Sequence, residues 1–314
     1  MWSVLYKKGQ TLKKAVGVSR GLFRRALLLF AVPGYDFVFI HREAAPIGPP
    51  IIEWIIAKVL RKKIIYDFDD AIWLPNTSVE NKLIARFKWH SKVNSVCHWS
   101  YRVSCGNSFL AEYARQFNKN IIINATTIDT DNLHNPDRYR TIKETEKIVI
   151  GWTGTHSTMS YLTPMLPVIE SLWKKYSHLE LLIISDKDPN QPYPFIKFLP
   201  WAKGSEILDL MKMDIGIMPL TADEWSRGKC GFKALQYMSL MKPAIVSPTG
   251  VNSTIIDHNV NGFLSTTPEE WFALLEYLIN HPERWGEIGL NGRQKVIDQY
   301  SVSSNSANFL SLFE

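Results

Sequence analysis

The sequence has few cysteines, and the three present, Cys97, Cys105 and Cys230, are an odd number at scattered positions. A disulfide framework needs an even number at regular spacings, so none is predicted. Cys97 and Cys105 with His98 could act as metal ligands, but their spacing matches no common zinc pattern. We therefore expect buried apolar thiols in a reduced, cytoplasmic protein.

Long hydrophobic runs are also missing. The longest one near the start, residues 26–32, is far shorter than the roughly 20 residues that a membrane-spanning helix needs. No charged-then-apolar segment with a small-residue cleavage site opens the chain, so nothing marks it for export. With 314 residues, 46% hydrophobic and 21% charged, the chain is typical of a globular protein with two domains.

Acidic residues are absent from the first 35 positions, which carry seven basic residues. The net charge of +6 is therefore concentrated in the N-terminal part of the chain. This polarity predicts either contact with an anionic partner or a solvated helix face that serves solubility alone. Apolar residues at 22–30 favour peripheral contact with the inner face of a membrane. No motif accompanies the charge that would favour nucleic acid as a partner.

Predicted strands and helices alternate along the chain, which is typical of parallel sheets with crossover helices. A polar, turn-rich stretch at residues 125–145 is expected to link two domains. The predicted fold class is α/β, with one Rossmann-like domain over residues 1–140 and a second over residues 141–290. Residues 291–314 are expected to form a helical tail that packs back on the first domain.

The first candidate site is the loop that follows a predicted strand ending at residue 150. Gly151, Gly154 and Thr155 lie between this strand and a helix. Glycines there allow backbone N–H groups to approach a phosphate, and the helix directs its positive end at the same anion. The alternative is that both glycines serve only the geometry of the turn. The pattern is neither GxGxxG nor a Walker motif.

The second candidate site precedes and enters a helix at the predicted carboxyl edge of the second sheet, where ligands of open α/β sheets bind. Arg227, Lys229 and Lys233 gather positive charge beside Gly231 at a helix start, which suits a diphosphate. Arg227 and Lys233 could instead be ordinary solvated residues. Glu224 is a second-tier candidate for a ligand cleft.

Residues 228–250 (GKCGFKALQYMSLMKPAIVSPTG) and 255–264 (IIDHNVNGFL) resemble the signature block of group 1 glycosyltransferases, family 4, of the GT-B fold. The resemblance covers residues 145–300 well and 36–125 more loosely. It implies two Rossmann-like domains facing a cleft and a nucleotide-diphosphate sugar donor bound mainly by the second domain. It also implies transfer with retention to a polysaccharide, glycolipid or glycoprotein. The basic N-terminal segment favours an acceptor that is anionic or lipid-linked. No metal or other cofactor is expected, because basic groups and a helix dipole offset the charge of the leaving diphosphate.

The chain departs from the family pattern at two glutamates, which align with Gly228 and Gln236. We expect Lys229 and Arg227 to supply positive charge that the family places after its first C-domain strand. Gln236 can hydrogen-bond a ribose but cannot bind it as a carboxylate would. Nothing before residue 36 matches the family's first strand and loop, so the N-terminal domain is expected to lack them. These departures leave an alternative, a non-catalytic relative that binds a nucleotide-sugar or a polyanion.

Acidic residues follow a predicted strand in the first half, within YDFDDAIW at residues 66–73. The resemblance aligns Asp69 and Asp70 with a His-Asp pair near the donor sugar, and implies a catalytic role. Such carboxylates could stabilise an oxocarbenium-like charge, hold a divalent metal together with Asp67, or cap the next helix. Arg42 and Glu43, at another predicted strand end, are second-tier cleft candidates.

Overall fold

The computed structural model describes residues 11–45, 47–75, 89–139 and 146–314. The chain divides into two compact units, which we call the N-terminal unit (Met1–Asn124 with Leu310–Glu314) and the C-terminal unit (Ala125–Phe309). Each unit contains one sheet whose strands are all parallel. The predicted α/β class is confirmed.

The N-terminal unit has a four-stranded sheet in the order β1-β2-β3-β4. Its strands are Phe37–His41 (β1), Lys63–Phe68 (β2), Arg102–Cys105 (β3) and Ile121–Ile123 (β4). Its helices are Thr11–Leu28 (α1), Ile51–Trp54 (α2), which continues as a π-helical turn Ile55–Val59, Lys92–Trp99 (α3) and Ser108–Arg115 (α4). Among the described residues no strand precedes Phe37. The central strand β2 is almost continuously buried, which is typical of parallel strands covered on both faces.

The C-terminal unit has a six-stranded sheet in the order β10-β9-β8-β5-β6-β7. Its strands are Ile148–Gly154 (β5), Leu179–Ser185 (β6), Ile196–Pro200 (β7), Ile215–Met218 (β8), Ala244–Val246 (β9) and Phe263–Leu264 (β10). Because β5 lies between β6 and β8, the strand order reverses on either side of it. This switch point is where open α/β sheets bind their ligands.

Helices of the C-terminal unit connect these strands and close its core. They are Met159–Leu162 (α5), Leu166–Lys175 (α6), Glu206–Met211 (α7), Glu224–Arg227 (α8), Phe232–Ser239 (α9), Asn252–Ile255 (α10), Pro268–Asn280 (α11), Trp285–Lys295 (α12) and Val302–Leu310 (α13). Ile169 and Leu275 belong to the core cluster on one side of the sheet, and Leu235 and Ile255 belong to the cluster on the other. Two apolar layers therefore fix the strand ends that carry the candidate site.

The predicted linker packs with the C-terminal unit over its described residues. Ile128 is buried, and its N–H donates to the Tyr300 carbonyl at 2.8 Å. The Arg293 guanidinium donates to the carbonyls of His134 at 3.0 Å and Ser239 at 2.6 Å, since an arginine fork can satisfy several acceptors at once. Residues 140–145 of the predicted linker lie outside the described residues.

The predicted tail is divided between the two units. Its residues up to Phe309 belong to the C-terminal unit, whereas Leu310–Glu314 belong to the N-terminal unit. There the Phe313 ring lies 5.6 Å from the ring of Phe37 and 6.4 Å from that of Phe39. A few aromatic contacts thus attach the end of the chain to β1.

The thiols of Cys97 and Cys105 are buried, and Cys230 is partly exposed. Burial raises the pKa of the Cys97 thiol to about 12, so this group stays protonated at neutral pH.

None of the described helices is long and apolar enough to cross a membrane. The sequence also predicts a helix over residues 79–96, of which residues 79–88 lie outside the described residues.

Candidate functional site

The two motifs predicted to bind phosphate meet beside Trp152 in β5. Gly154 ends this strand, and a Cβ at its position would lie 2.5 Å from the Trp152 ring. Lys233, in the first turn of α9, has its Nζ 5.8 Å from the centre of the same ring. Trp152 is only 1% exposed, so the glycine and the lysine pack on a ring that belongs to the core. The structure thereby brings both motifs to the switch point of the sheet.

Packing within the C-terminal unit explains why position 151 is a glycine. It lies inside β5, and a Cβ there would overlap the side chain of Met213. In the following loop, the backbone N–H of His156 donates to the Asp186 carboxylate at 2.6 Å. Thr155 is exposed, and its hydroxyl lies 2.8 Å from that of Ser157. Of the residues predicted in this loop, Gly154 and Thr155 are the ones that lie at the edge of the sheet.

The second motif forms a turn that leads into α9. Gly231 has φ +71°, a left-handed conformation that favours glycine, and a Cβ there would also overlap Ile255. Lys229 lies two residues earlier, with its Nζ 5.1 Å from the centre of the Trp225 ring. The first N–H groups of a helix have no acceptor within it, so the start of α9 is electropositive. Lys229, Lys233 and this helix start form one positively charged corner.

Arg227 and Glu224 are both exposed and lie at the two ends of the short helix α8. Asp223 caps this helix, because its carboxylate accepts the backbone N–H of Ser226 at 2.7 Å. Partial burial would raise the pKa of Asp223, but hydrogen bonds from Thr221 and Ser226 outweigh it and lower that pKa. This carboxylate is therefore ionised and engaged with the helix end.

Gln236 faces the interior of the unit and is 1% exposed. Its amide nitrogen donates to the Glu206 carboxylate at 3.2 Å and lies 3.5 Å from His134 Nε2. Burial lowers the pKa of His134, against the opposing charges of Glu206 and Asp129. The helix α9 is buried on this side, so the side chain that the sequence places at a ribose is engaged with protein groups.

The three aromatic residues near this corner differ in exposure. Tyr237 is fully buried, and its hydroxyl lies 3.2 Å from the Thr153 N–H and 3.3 Å from the Ile217 carbonyl. Trp152 is buried as well, whereas Trp225 is partly exposed. Of these three rings, Trp225 is the one that is not buried.

In the N-terminal unit, Arg42 joins the two aspartates that were predicted to be catalytic. Its Nε and one terminal nitrogen contact the two carboxylate oxygens of Asp69 at 2.6 and 2.8 Å. The same terminal nitrogen contacts Asp70 at 2.8 Å. Burial would raise the pKa of Asp69, but the hydrogen bonds and charge of Arg42 outweigh it and hold this pKa below its usual value. Arg42 has φ +60°, so the strand end is strained where this cluster forms.

His41 is a member of this polar cluster that the sequence analysis did not identify. It is the register partner of Asp67 across β1 and β2, and its Nδ1 lies 2.6 Å from the Asp67 carboxylate. Ser104, the register partner of Asp67 on β3, donates to the other carboxylate oxygen at 2.6 Å. The result is a row of three polar side chains across three adjacent strand ends. Within the described residues, no three His, Cys, Asp or Glu side chains form a group suited to a metal ion.

Glu43 is engaged in a buried ion pair. Its carboxylate lies 2.7 Å from Lys92 Nζ, and the two side chains are 10% and 3% exposed. Lys92 also donates to the carbonyl of Ala45. Glu53 is buried beside this pair and accepts the N–H of Ala44 at 3.0 Å. The structure therefore gives Glu43 a role in holding the segment after β1.

Two α/β units with parallel sheets form a GT-B fold, and solved structures of this fold match nearly the whole chain. HepE of Anabaena, solved in complex with UDP-glucose, is 16% identical over 92% of this chain and 81% of its own, with a TM-score of 0.67. A glycosyltransferase from Rickettsia africae ESF-5 is 14% identical over 98% of this chain and 83% of its own, with a TM-score of 0.68. At these identities the likeness establishes the fold.

The comparison with known families matches a segment of the C-terminal unit. Residues 147–281, somewhat less than half of the chain, match the family described as Glycosyl transferases group 1. The resemblance seen in the sequence is thereby confirmed. No curated protein matches the chain.

Proposed function

We propose that this protein is a glycosyltransferase that moves a sugar from a nucleotide-diphosphate donor to a polysaccharide, glycolipid or glycoprotein acceptor. The observation that carries the proposal is the positively charged corner of Lys229, Lys233 and the start of α9, inside the segment that matches group 1 glycosyltransferases. Because HepE was solved with UDP-glucose, a UDP-sugar is the first donor to test.

In this proposal the corner stabilises the leaving diphosphate. When the bond between the anomeric carbon and the phosphate oxygen breaks, negative charge accumulates on the diphosphate. Lys229, Lys233 and the N–H groups at the start of α9 are already oriented to meet that charge, so little reorganisation is needed. Arg227 adds a further cation from the end of α8. Such a site needs no divalent metal, and we propose metal-independent transfer with retention of configuration.

Asp69 and Asp70 are proposed to contact sugar hydroxyls. The side chains of Asp69 and Asp70 are 39% and 14% exposed, so a sugar hydroxyl can reach them beside Arg42. Arg42 holds both groups in one orientation and keeps Asp69 ionised. This arrangement supports binding and charge stabilisation rather than proton transfer by these two groups.

The test combines binding and turnover. Calorimetry with UDP and UDP-glucose should give a measurable affinity that survives EDTA, and UDP release should follow addition of a suitable acceptor. The non-catalytic alternative predicts the same binding without hydrolysis or transfer. Loss of all nucleotide affinity in the intact protein would contradict both.

We also propose that α1 contacts an anionic membrane surface. Phe23, Leu27 and Leu28 are 64%, 51% and 63% exposed, so the apolar run near α1's end is not packed into the core. Arg20 and Arg24 are exposed on the same helix. Apolar and cationic side chains on one helix favour the interface of an anionic bilayer, where a lipid-linked acceptor would be found.

A further inference from the structure

A second helix of the N-terminal unit exposes an apolar face. Ile51 and Trp54 in α2 and Val59 at the end of the π-helical turn are 57%, 46% and 57% exposed. Lys58 is exposed beside them, and Arg61 is exposed just after the turn. Ile51, Trp54 and Lys58 recur at three- and four-residue spacing, which places side chains on one side of a helix. We call these three residues, with Val59 and Arg61 after them, the Trp54 face.

The acidic residue of this helix is turned away from that face. Glu53 is the one acid between Glu43 and Asp67 in the sequence. It is 1% exposed, and its carboxylate accepts the N–H of Ala44 at 3.0 Å. The charges that this helix and its end present to solvent are therefore those of Lys58 and Arg61.

The cationic end of the Trp54 face, at Arg61, lies away from the polar cluster that Arg42 forms with Asp69 and Asp70. Arg61 precedes β2, whereas Asp69 and Asp70 follow it. A strand of six residues spans roughly 20 Å at about 3.3 Å per residue, so these groups are at opposite ends of β2. Lys62 Nζ donates to the Pro33 carbonyl at 2.9 Å, which ties this end of β2 to the segment after α1.

We infer that the Trp54 face binds the surface of an anionic lipid bilayer. Tryptophan and aliphatic side chains gain from the boundary between headgroups and acyl chains, and the two cations gain from anionic headgroups. A soluble polyanion would satisfy Lys58 and Arg61 but would leave the three apolar side chains in water. The inference extends the membrane contact proposed for α1 by a second surface, and its test separates the two.

The first test measures sedimentation with vesicles of phosphatidylcholine containing 30% phosphatidylglycerol. The double variant Trp54→Ser/Val59→Ser, with α1 unchanged, should bind these vesicles at least about fivefold more weakly, since two apolar side chains no longer enter the interface. The matched control Trp201→Ser/Leu290→Ser removes side chains that are 44% and 56% exposed in the C-terminal unit, and should bind like the unaltered protein. Equal binding by all three proteins would overturn the inference.

The second test reports insertion directly. A polarity-sensitive dye is attached at Val59→Cys in a Cys230→Ser background, with Leu290→Cys as the control position of equal exposure. Emission should shift to the blue at position 59 with anionic vesicles and not with phosphatidylcholine alone. No shift at position 59 while vesicles still bind would assign the contact to α1 alone and overturn the inference. Nucleotide affinity, measured on Trp54→Ser/Val59→Ser, should stay unchanged, so failure here is distinct from failure of the donor site.

Discussion

At the carboxyl edge of the N-terminal sheet, charged side chains mainly engage one another. Arg42 binds Asp69 and Asp70 at 2.6–2.8 Å, and Lys92 forms a buried pair with Glu43 at 2.7 Å. Each contact joins side chains from different strand ends or helices of the same unit. The cations of this edge therefore hold protein segments together.

At the carboxyl edge of the C-terminal sheet, cations and acids are used differently. Lys229 and Lys233 lie against the faces of two tryptophan rings beside a helix start. The carboxylates of Asp186 and Asp223 accept backbone N–H groups. Similar residue types thus serve structure in one unit and a candidate anion site in the other. Substitutions that separate stability from binding test this difference.

The largest effect is expected from Lys92→Met. Removing one partner of a buried ion pair leaves a buried charge without compensation, which costs about 3–5 kcal/mol of unfolding free energy. Denaturant unfolding followed by circular dichroism measures the loss. The double variant Lys92→Met/Glu43→Leu should recover most of it, because the carboxylate that pairs with Lys92 is removed as well. If Lys92→Met costs no more than Lys119→Met at an exposed position, the pair has no structural role.

Lys229→Ala tests whether a cation of the C-terminal unit binds a ligand rather than stabilising the fold. We expect UDP affinity to fall by roughly 1.5–3 kcal/mol, the scale of a hydrogen bond to a charged group, with little change in thermal stability. Calorimetry and thermal denaturation of the same samples give both quantities. Lys203→Ala, at an exposed position of the same unit, is the control. Unchanged affinity in Lys229→Ala would remove this residue from the site.

Substitutions in α1 and in the C-terminal unit test which of the two units binds anionic vesicles. Arg20→Gln/Arg24→Gln should weaken binding to anionic vesicles by about 2 kcal/mol, since each cation near such a surface contributes about 1 kcal/mol. The effect should fade as salt rises, because screening acts over about 8–10 Å near physiological ionic strength. Lys187→Gln/Lys203→Gln in the C-terminal unit should leave vesicle flotation unchanged. If the unaltered protein binds neutral and anionic vesicles equally at every salt concentration, α1 makes no electrostatic contact.

Apolar runs followed by polar turns indicate where parallel strands end, but the strand predicted to end at residue 150 continues to Gly154, so both glycines of the predicted loop lie in β5. The sequence did not predict the row formed by His41, Asp67 and Ser104, because strand register decides which residues lie opposite each other. Register depends on packing between whole elements, and no local pattern specifies it.

Burial was the second feature that residue spacing could not supply. The alignment of Gln236 with a family glutamate indicates its position in the helix. It does not indicate that the Gln236 amide donates a hydrogen bond to Glu206. Similarly, Gly151 and Gly154 look alike in sequence. Only the structure shows that Gly151 packs on Met213 within the strand, whereas Gly154 ends the strand beside Trp152.

The smallest effect is expected from the titration of His134, a buried residue of the C-terminal unit. Burial lowers the pKa of its imidazole below the ordinary 6.5, so the unfolded chain binds a proton more readily than the folded unit. The stability that depends on neutral His134 is therefore present above about pH 6.5 and is lost as pH falls through the lower folded value. Neutral Nε2 can accept from the Gln236 amide, which lies 3.5 Å away. Protonation would place two donors face to face.

Thermal denaturation between pH 7.5 and 5 measures this dependence. His134→Gln removes the titrating group, so its melting temperature should fall less over this range than that of the unaltered protein. His178→Gln, on a loop before β6, is the control and should follow the unaltered protein. A matching pH dependence in His134→Gln would mean that other groups cause the acid sensitivity. A flatter profile in His134→Gln alone would assign the acid sensitivity to the contact of His134 with Gln236 in α9. Burial keeps the imidazole neutral at this contact, so it is not stabilised as an ion pair.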